Sequence, residues 1–474
     1  MRGPERHGLG AILRGHAPLV AVMAVGAAVR VLTQIAYGPA LYYYDSFAYL
    51  AQANGGLFTN AAEPAGYPVA IRIFRRGTSD LGLLTGAQHL AGLAAGMLVY
   101  VVVLRLTGRK SLGVLGAAVV VLDGYAIAVE QYVMTDAFFG ALLIASAALT
   151  LLARRRLTLA AGGIVLAAAC IVRATGLLCV PVWLAYVLWR HRRASTVALC
   201  AAAVLLPLAG YAAANDAKTG HYTLTDDTAW LVYARIGAIG DCKGLVIPAD
   251  ERVLCPHGSQ LRRSVNYYLE APDSPAVRAF GFPSISAPPR ADGLLLGYAV
   301  RVMSQRPLPY LGLVASSFLD FFIAAAPSES ANENGAITLP KPGPWLWPTN
   351  HPRQRWPAGP LRAYVAVLHT VRPLLAVFLV LGVLALVLSP PANRPAPRAP
   401  RPAIALLIGM AIALLLGAAL DHFELRYVLP AVPPLACGGM LAVGSLWERY
   451  GRVDGLGWKS WKPGGSLRRP DRLG

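Results

Sequence analysis

Apolar residues run along this chain in long stretches separated by short polar or basic segments. Eight stretches are clear, and they cover residues 17–36, 81–105, 112–129, 137–153, 196–214, 363–389, 403–420 and 428–447. A helix needs about 20 apolar residues to cross a hydrocarbon core of ~30 Å. The pattern predicts an all-α polytopic membrane protein of about 10–11 transmembrane helices. A β-barrel would instead show short alternating segments.

Two further apolar stretches, 159–172 and 177–189, are short for complete spans. Between them lies Arg173-Ala174-Thr175-Gly176. We expect a helical hairpin whose tip stops below the outer surface, because each arm rises only ~21 Å. Non-helical backbone at that depth needs a polar cavity, so Arg173 is predicted to face one.

Composition supports a membrane location. The chain is 56% hydrophobic and 14% charged, against about 25% charged residues in soluble proteins. The net charge of +19 is carried by clusters at helix ends, namely residues 109–110, 154–156, 190–193, 394–401 and 449–472. Basic residues retained on the cytoplasmic side produce this pattern, which favours contact with anionic lipid and no nucleic acid.

The same charges predict the topology of the plasma membrane protein. Both termini are expected in the cytoplasm, with outer loops at 37–80 and about 215–362. Residues 308–325 are ambiguous, and parity favours an interfacial or re-entrant helix. A membrane domain is predicted over 1–447 and a disordered basic tail over 448–474. High Ala, Arg, Gly and Pro content indicates a GC-rich bacterial genome.

The chain has six cysteines. Cys242 and Cys255 lie together in the long outer loop, where a disulfide is expected in an oxidising compartment. The other four fall in apolar runs and are expected to be small core residues.

Asp45 follows the first apolar stretch and stands among aromatic residues. A carboxylate there is poorly solvated, so it needs a cation or acts as a proton acceptor. Three roles follow: a general base, a ligand to a divalent cation together with Glu130 or Asp136, or a structural partner of an arginine such as Arg173.

Other polar residues also lie at outer ends of spans, and they are Glu63, Glu130, Asp136, Arg173, Glu424 and Arg426. Charges of both signs at one depth indicate a site for a charged, lipid-linked ligand. Arg173 suits a phosphate and could equally pair with Asp136 or another carboxylate. Arg426 has the same two roles open, and the nearby Glu424 and Asp421 favour a structural one. Tyr67, in a rigid turn, could stack on a sugar or anchor the loop. The histidines lack metal-binding spacing, and His89 inside a span is expected to be a packing residue.

The chain resembles the GT-C superfamily of integral-membrane glycosyltransferases, near the protein O-mannosyltransferase and aminoarabinose transferase branch. Several short segments carry the resemblance: Tyr44-Asp45-Ser46-Phe47-Ala48-Tyr49, Pro64-Ala65-Gly66-Tyr67-Pro68, Glu130 to Phe139, Leu159 to Pro181, and Phe423-Glu424-Leu425-Arg426-Tyr427 with Pro430. Three positions depart from the family pattern. Ser46 stands where many relatives have a second acid. Asp136 stands where a glutamate is commoner, and Ala65 where a proline is usual.

The resemblance implies transfer of a sugar from a polyprenyl phosphate to a hydroxyl of a lipid, polysaccharide or protein, at the outer face and with inversion. It implies that Asp45 is the catalytic base and that Glu130 and Asp136 support it. It also implies that Arg173 and Arg426 hold the donor phosphate and that Tyr49, Glu63 and Tyr67 belong to the substrate loop. A divalent cation is the one possible cofactor. Because Ser46 stands where many relatives have a second acid, the sequence leaves open whether such a cation is needed.

Two rival interpretations remain. A flippase or transporter of lipid-linked intermediates would use the same basic cavity without needing a base. A scaffold subunit of an envelope-assembly complex would tolerate loss of Asp45, Asp136 and Arg173.

Overall fold

The fold is described from a computed structural model over residues 14–60, 62–77, 80–281, 289–323, 356–368, 372–388 and 400–450. Within these ranges every regular element is helical, and the one β-contact is an isolated parallel bridge between Leu41 and Tyr132. The greater part of the predicted inner linker 390–402, and the tail beyond residue 450, lie outside the described residues.

The α-helices, in chain order, are α1 Ala17–Tyr37, α2 Tyr44–Asn54, α3 Gly66–Arg75, α4 Gly82–Thr107, α5 Lys110–Val121, α6 Gly124–Glu130, α7 Asp136–Leu151, α8 Arg156–Val172, α9 Cys179–Arg190, α10 Ala194–Thr219, α11 Thr228–Ile236, α12 Val265–Glu270, α13 Pro275–Phe280, α14 Pro289–Gln305, α15 Pro307–Asp320, α16 Ala358–Val367, α17 Arg372–Leu388, α18 Pro400–Asp421 and α19 Val432–Tyr450. Short 3₁₀ turns are Ala174–Leu178, Gly237–Ile239, Arg252–Leu254, Gly258–Gln260 and Leu425–Ala431.

Helices occupy the described parts of the predicted spanning segments, which confirms a multi-pass helical membrane protein. Six helical stretches are long and apolar enough to cross a membrane, or up to seven if α5 and α6, bent by 50°, form one span. Helices α7, α8 and α9 are apolar but shorter. The 3₁₀ turn Ala174–Leu178 separates α8 from α9, as the hairpin prediction requires.

The centre of the bundle is formed by the last helical hairpin. In the stretch Leu425–Arg449, 89% of the apolar window is buried, and in α18 61%, against 22–33% in α1, α4 and α10. Peripheral helices leave apolar side chains for lipid, whereas central ones must pack on all sides. The turn Leu425–Ala431, which carries Arg426, therefore lies inside the bundle.

Between α10 and α15 the chain forms a small subdomain, α11 to α14, with its own core of aromatic side chains, including Tyr233, Tyr268 and Tyr298. We call it the outer subdomain, because it lies in the stretch predicted as an outer loop. A disulfide joins Cys242 to Cys255 in this subdomain. Arg235 attaches the subdomain to the bundle, because its Nη2 donates to the Ala419 carbonyl at the end of α18 at 2.8 Å.

The ambiguous stretch 308–325 contains α15, which is 14 residues long and packs against α18. Leu308 and Leu311 on α15 are strongly exposed. The four cysteines outside the outer subdomain are buried and unbonded, in agreement with a packing role.

Candidate active site

A cavity of about 500 Å³ lies between the membrane bundle and the outer subdomain. Its bundle wall contains five residues singled out from sequence, namely Asp45, Glu63, Arg173, Glu424 and Arg426. The first outer loop, the α8–α9 hairpin and the turn after α18 therefore meet in one pocket. Asp45 and Arg173, which are far apart in the sequence, therefore line the same cavity.

Asp45 lies in the first turn of α2 and forms an ion pair with Arg426. Oδ2 of Asp45 is 2.6 Å from Nη1 of Arg426, and Nε of Arg426 is 2.7 Å from Oε1 of Glu424. One guanidinium therefore holds two carboxylates. Oδ1 of Asp45 has no hydrogen-bond partner among the described residues, so one oxygen remains to accept a proton.

Ser46 explains how Asp45 is oriented. Its fully buried hydroxyl accepts a hydrogen bond from the Tyr43 N–H at 2.8 Å, which caps the start of α2, and donates one to the Val133 carbonyl at 2.9 Å. The residue that replaces the family's second acid thus fixes the backbone beside Asp45.

Arg173 caps the end of α8 at the hairpin tip. Its Nη1 donates to Oδ1 of Asp136 at 3.1 Å and to Oγ1 of Thr135 at 3.3 Å, and its guanidinium lies 4.9 Å from the centre of the Tyr427 ring. Within the described part of the chain, Nε and Nη2 make no hydrogen bond. A planar guanidinium offers five N–H donors, so Arg173 keeps donors for an anion in the cavity.

The first outer loop reaches this hairpin through Gly66. A Cβ at residue 66 would lie 2.4 Å from the Ile171 carbonyl oxygen. A contact that close admits only glycine, which accounts for the glycine in Pro64-Ala65-Gly66-Tyr67-Pro68.

Four predicted site residues, Glu130, Asp136, Tyr49 and Tyr67, do not line the cavity. Asp136 is buried and pairs with Arg173. Glu130 lies in the bundle interior, where Arg30 and His89 each contact it at 2.8 Å. Tyr49 and Tyr67 are fully buried and pack edge to face with their ring centres 5.0 Å apart. The structure therefore assigns these tyrosines to the core of the loop rather than to sugar stacking or surface anchoring.

The donor set does not fit a divalent cation. Asp45, Glu130 and Asp136 each pair with an arginine, and a hard cation would need several of those oxygens at once. No group of three His, Cys, Asp or Glu side chains with metal-binding geometry occurs within the described ranges.

The outer wall of the cavity carries residues that the sequence did not reveal. Asp227, which precedes α11, and Trp230 and Glu270 of the outer subdomain all line it. No motif marks them, because their position depends on how the subdomain folds over the bundle. Arg30 could have been noticed, since a charge within a 20-residue apolar stretch needs a buried partner.

Glu63, on the bundle side of the cavity, is a carboxyl group with a strongly raised pKa. Burial raises its pKa from 4.5 to about 7, and the negative charge of Asp45 adds to the rise, while Arg173 and Arg426 oppose it. Since the folded pKa exceeds the unfolded one, the free energy of unfolding falls as pH rises from about 4.5 to about 7.

We expect an anion to bind the cavity roughly 5- to 30-fold more weakly at pH 8 than at pH 6, because ionised Glu63 adds a repulsive charge to the cavity. Equilibrium binding of sulfate across that range would check this. In Glu63→Gln the dissociation constant should stay nearly flat. An equal rise in both proteins would show that another group is responsible.

Residues 85–222 match the family model described as dolichyl-phosphate-mannose-protein mannosyltransferase. The predicted resemblance is confirmed. The matched segment includes Asp136 and Arg173, so this part of the chain carries the sequence features of a glycosyltransferase family. A search of curated protein sequences gives no match.

Solved structures with a similar course of the chain include two of the Archaeoglobus fulgidus oligosaccharyltransferase. The apo form has a TM-score of 0.41 at 15% identity, and the match covers 91% of this chain and 51% of that enzyme. The complex with an inhibitory peptide and a dolichol-phosphate has a TM-score of 0.43 at 13% identity, with 92% and 51% covered. This chain thus spans about half the length of that enzyme.

ArnT from Cupriavidus metallidurans bound to undecaprenyl phosphate gives a TM-score of 0.35 at 14% identity, with 90% of this chain covering 77% of it. With TM-scores below 0.5, these likenesses carry no weight for the function.

Proposed function

We propose that this chain is a membrane glycosyltransferase that moves a sugar from a polyprenyl phosphate to an acceptor hydroxyl at the extracytoplasmic face. The observation that carries the proposal is the cavity shared by Asp45, Arg173 and Arg426, beside a segment that matches a mannosyltransferase family. A carboxylate with one unpaired oxygen and an arginine with unused donors are the two groups that such a transfer needs.

In the proposed reaction, Asp45 Oδ1 takes the proton of the acceptor hydroxyl as that oxygen attacks the anomeric carbon. The bond from the anomeric carbon to the phosphate oxygen breaks, and the phosphate leaves with the electron pair. Nε and Nη2 of Arg173 stabilise the charge on the leaving phosphate. A single displacement inverts the anomeric centre, by analogy with inverting glycoside chemistry.

The donor's polyprenyl tail would lie among the apolar helices, which removes the need for a soluble nucleotide site. The acceptor hydroxyl belongs to a lipid, a polysaccharide or a protein. The basic clusters at helix ends support cytoplasmic N- and C-termini in a bacterial plasma membrane, and hence an outward-facing cavity.

The proposal is tested by product formation. Membranes containing the protein, incubated with labelled polyprenyl-phosphate sugars supplied one at a time, should yield a glycosylated product and free polyprenyl phosphate. Membranes without the protein serve as the control. Redistribution of the label between leaflets with no covalent product would instead identify a flippase and overturn the transferase.

A further inference from the structure

A buried charged cluster lies in the bundle, away from the cavity. Arg30 of α1 forms a bidentate pair with Glu130 of α6, with Nε to Oε2 and Nη2 to Oε1 both at 2.8 Å, and Nη1 donates to the Val121 carbonyl at 2.7 Å. His89 of α4 lies 2.8 Å from the same Oε2 through Nδ1. All three side chains are no more than about 6% exposed.

The backbone of α4 is shaped to admit this cluster. A Cβ at Gly92 would lie 1.9 Å from Oε1 of Glu130 and 2.9 Å from Nη2 of Arg30. Any residue larger than glycine at position 92 would therefore overlap the ion pair.

The cluster anchors one end of residues 130–136, which we call the junction segment. Gln88 Nε2 donates to the carbonyls of Glu130 and Tyr132, both at 2.7 Å, and His89 Nε2 lies 2.9 Å from Oε1 of Gln131. Three spans, α1, α4 and the bent pair α5–α6, thus hold the segment from the membrane side.

The other side of the junction segment contacts the strand-like stretch before Asp45. The Leu41 N–H donates to the Gln131 carbonyl at 2.9 Å, and the Val133 N–H donates to the Leu41 carbonyl at 3.0 Å. Ser46, next to Asp45, donates to the Val133 carbonyl.

The same segment also contacts both arginines of the cavity. Thr135 and Asp136 accept from Arg173, and Sδ of Met134 lies 3.8 Å from Nη1 of Arg426. Seven consecutive residues thus touch the supports of Asp45, Arg173 and Arg426.

We propose that Arg30, Glu130 and His89 form a positioning triad that sets the junction segment, and through it aligns Asp45 with the two arginines; the catalytic part of this inference rests on the proposed function. Glu130 does not line the cavity that contains Asp45, so we assign it a positioning role and not a catalytic one. Replacing a buried ion pair by apolar residues is often neutral for stability, so stability alone does not account for a bidentate pair within the membrane.

Two variants test the triad. Arg30→Lys keeps the charge but loses the fork, and the double variant Arg30→Met/Glu130→Leu removes both charges and leaves neither unpaired. We expect kcat to fall about 10- to 100-fold in each, with the donor KM within about 3-fold of wild type, because small misplacements of reacting groups cost rate. The thermal midpoint of the double variant should stay near wild type.

The matched control is the Arg301–Glu251 pair of the outer subdomain, 2.9 Å apart and outside the cavity lining. Arg301→Met/Glu251→Leu should leave kcat unchanged. A folded double variant in the triad with wild-type kcat would overturn the positioning role. If the double variant does not fold, a wild-type kcat in Arg30→Lys would overturn it instead.

Amide hydrogen exchange tests the positioning role of the triad independently of activity. In either triad variant, exchange at residues 41–46 and 131–136 should accelerate at least about 10-fold, while α17–α19 stay protected. Unchanged exchange at those residues would overturn the triad even in an active enzyme. A wild-type protein that forms no product, yet shows the expected acceleration on substitution, would overturn only the transferase.

Discussion

Replacing Asp45 with asparagine should lower turnover by about 10²- to 10⁴-fold while the protein stays folded. General-base assistance contributes a rate factor of this size, and an amide cannot accept the acceptor's proton. Asparagine preserves the shape of the side chain, and Arg426 keeps Glu424 as a partner at 2.7 Å. Single-turnover rates of product formation with a saturating labelled donor would measure the effect.

The matched control is Asp250→Asn, an exposed carboxylate in the outer subdomain, which should transfer sugar at the wild-type rate. The pattern of the two kinetic constants matters as much as the loss itself. A raised KM with unchanged kcat would mean that Asp45 only orients Arg426 for binding. A wild-type rate in Asp45→Asn would eliminate the general base altogether.

Much of the fold could be predicted because bilayer thickness fixes the length of a span. The α8–α9 hairpin is the clearest case. Two apolar arms too short for full spans, with Arg173 between them, predicted a tip at a polar cavity, and Arg173 lines that cavity. The free energy of exposing unpaired polar backbone to lipid leaves few alternatives for such a sequence.

Ion-pair partners could be predicted only in part. Asp136 was a candidate partner of Arg173, and Glu424 of Arg426, and both contacts are present. Asp45 was expected to pair with an arginine such as Arg173, but its partner is Arg426. That contact joins segments far apart in the chain, and local pattern carries no information about it.

Glu130 shows a second limit of sequence analysis. Its position at the end of a helix is as predicted, but after α6 bends by 50° from α5 the side chain points into the bundle toward Arg30. Depth along a helix follows from counting apolar residues. The direction of a side chain after a bend depends on tertiary packing and does not follow from that count.

Substituting Arg426 with glutamine should destabilise the protein by about 3–5 kcal/mol, because it leaves two largely buried carboxylates without their cation. The side chains of Arg426, Asp45 and Glu424 are 5%, 20% and 11% exposed, so solvent screens them only weakly. The thermal midpoint in detergent should fall clearly.

Arg109→Gln is the comparison, because Arg109 and its partner Glu448 are 4.0 Å apart and 34% and 62% exposed, so its loss should cost about 1 kcal/mol or less. If Arg426→Gln is no less stable than Arg109→Gln, the buried ion-pair cluster does not hold the site together. If it is less stable, lost activity in Arg426 variants reports folding and phosphate binding together. Arg173 has one carboxylate partner and unused donors. Substituting Arg173 is then the better test of binding to the donor phosphate, because it disturbs folding less.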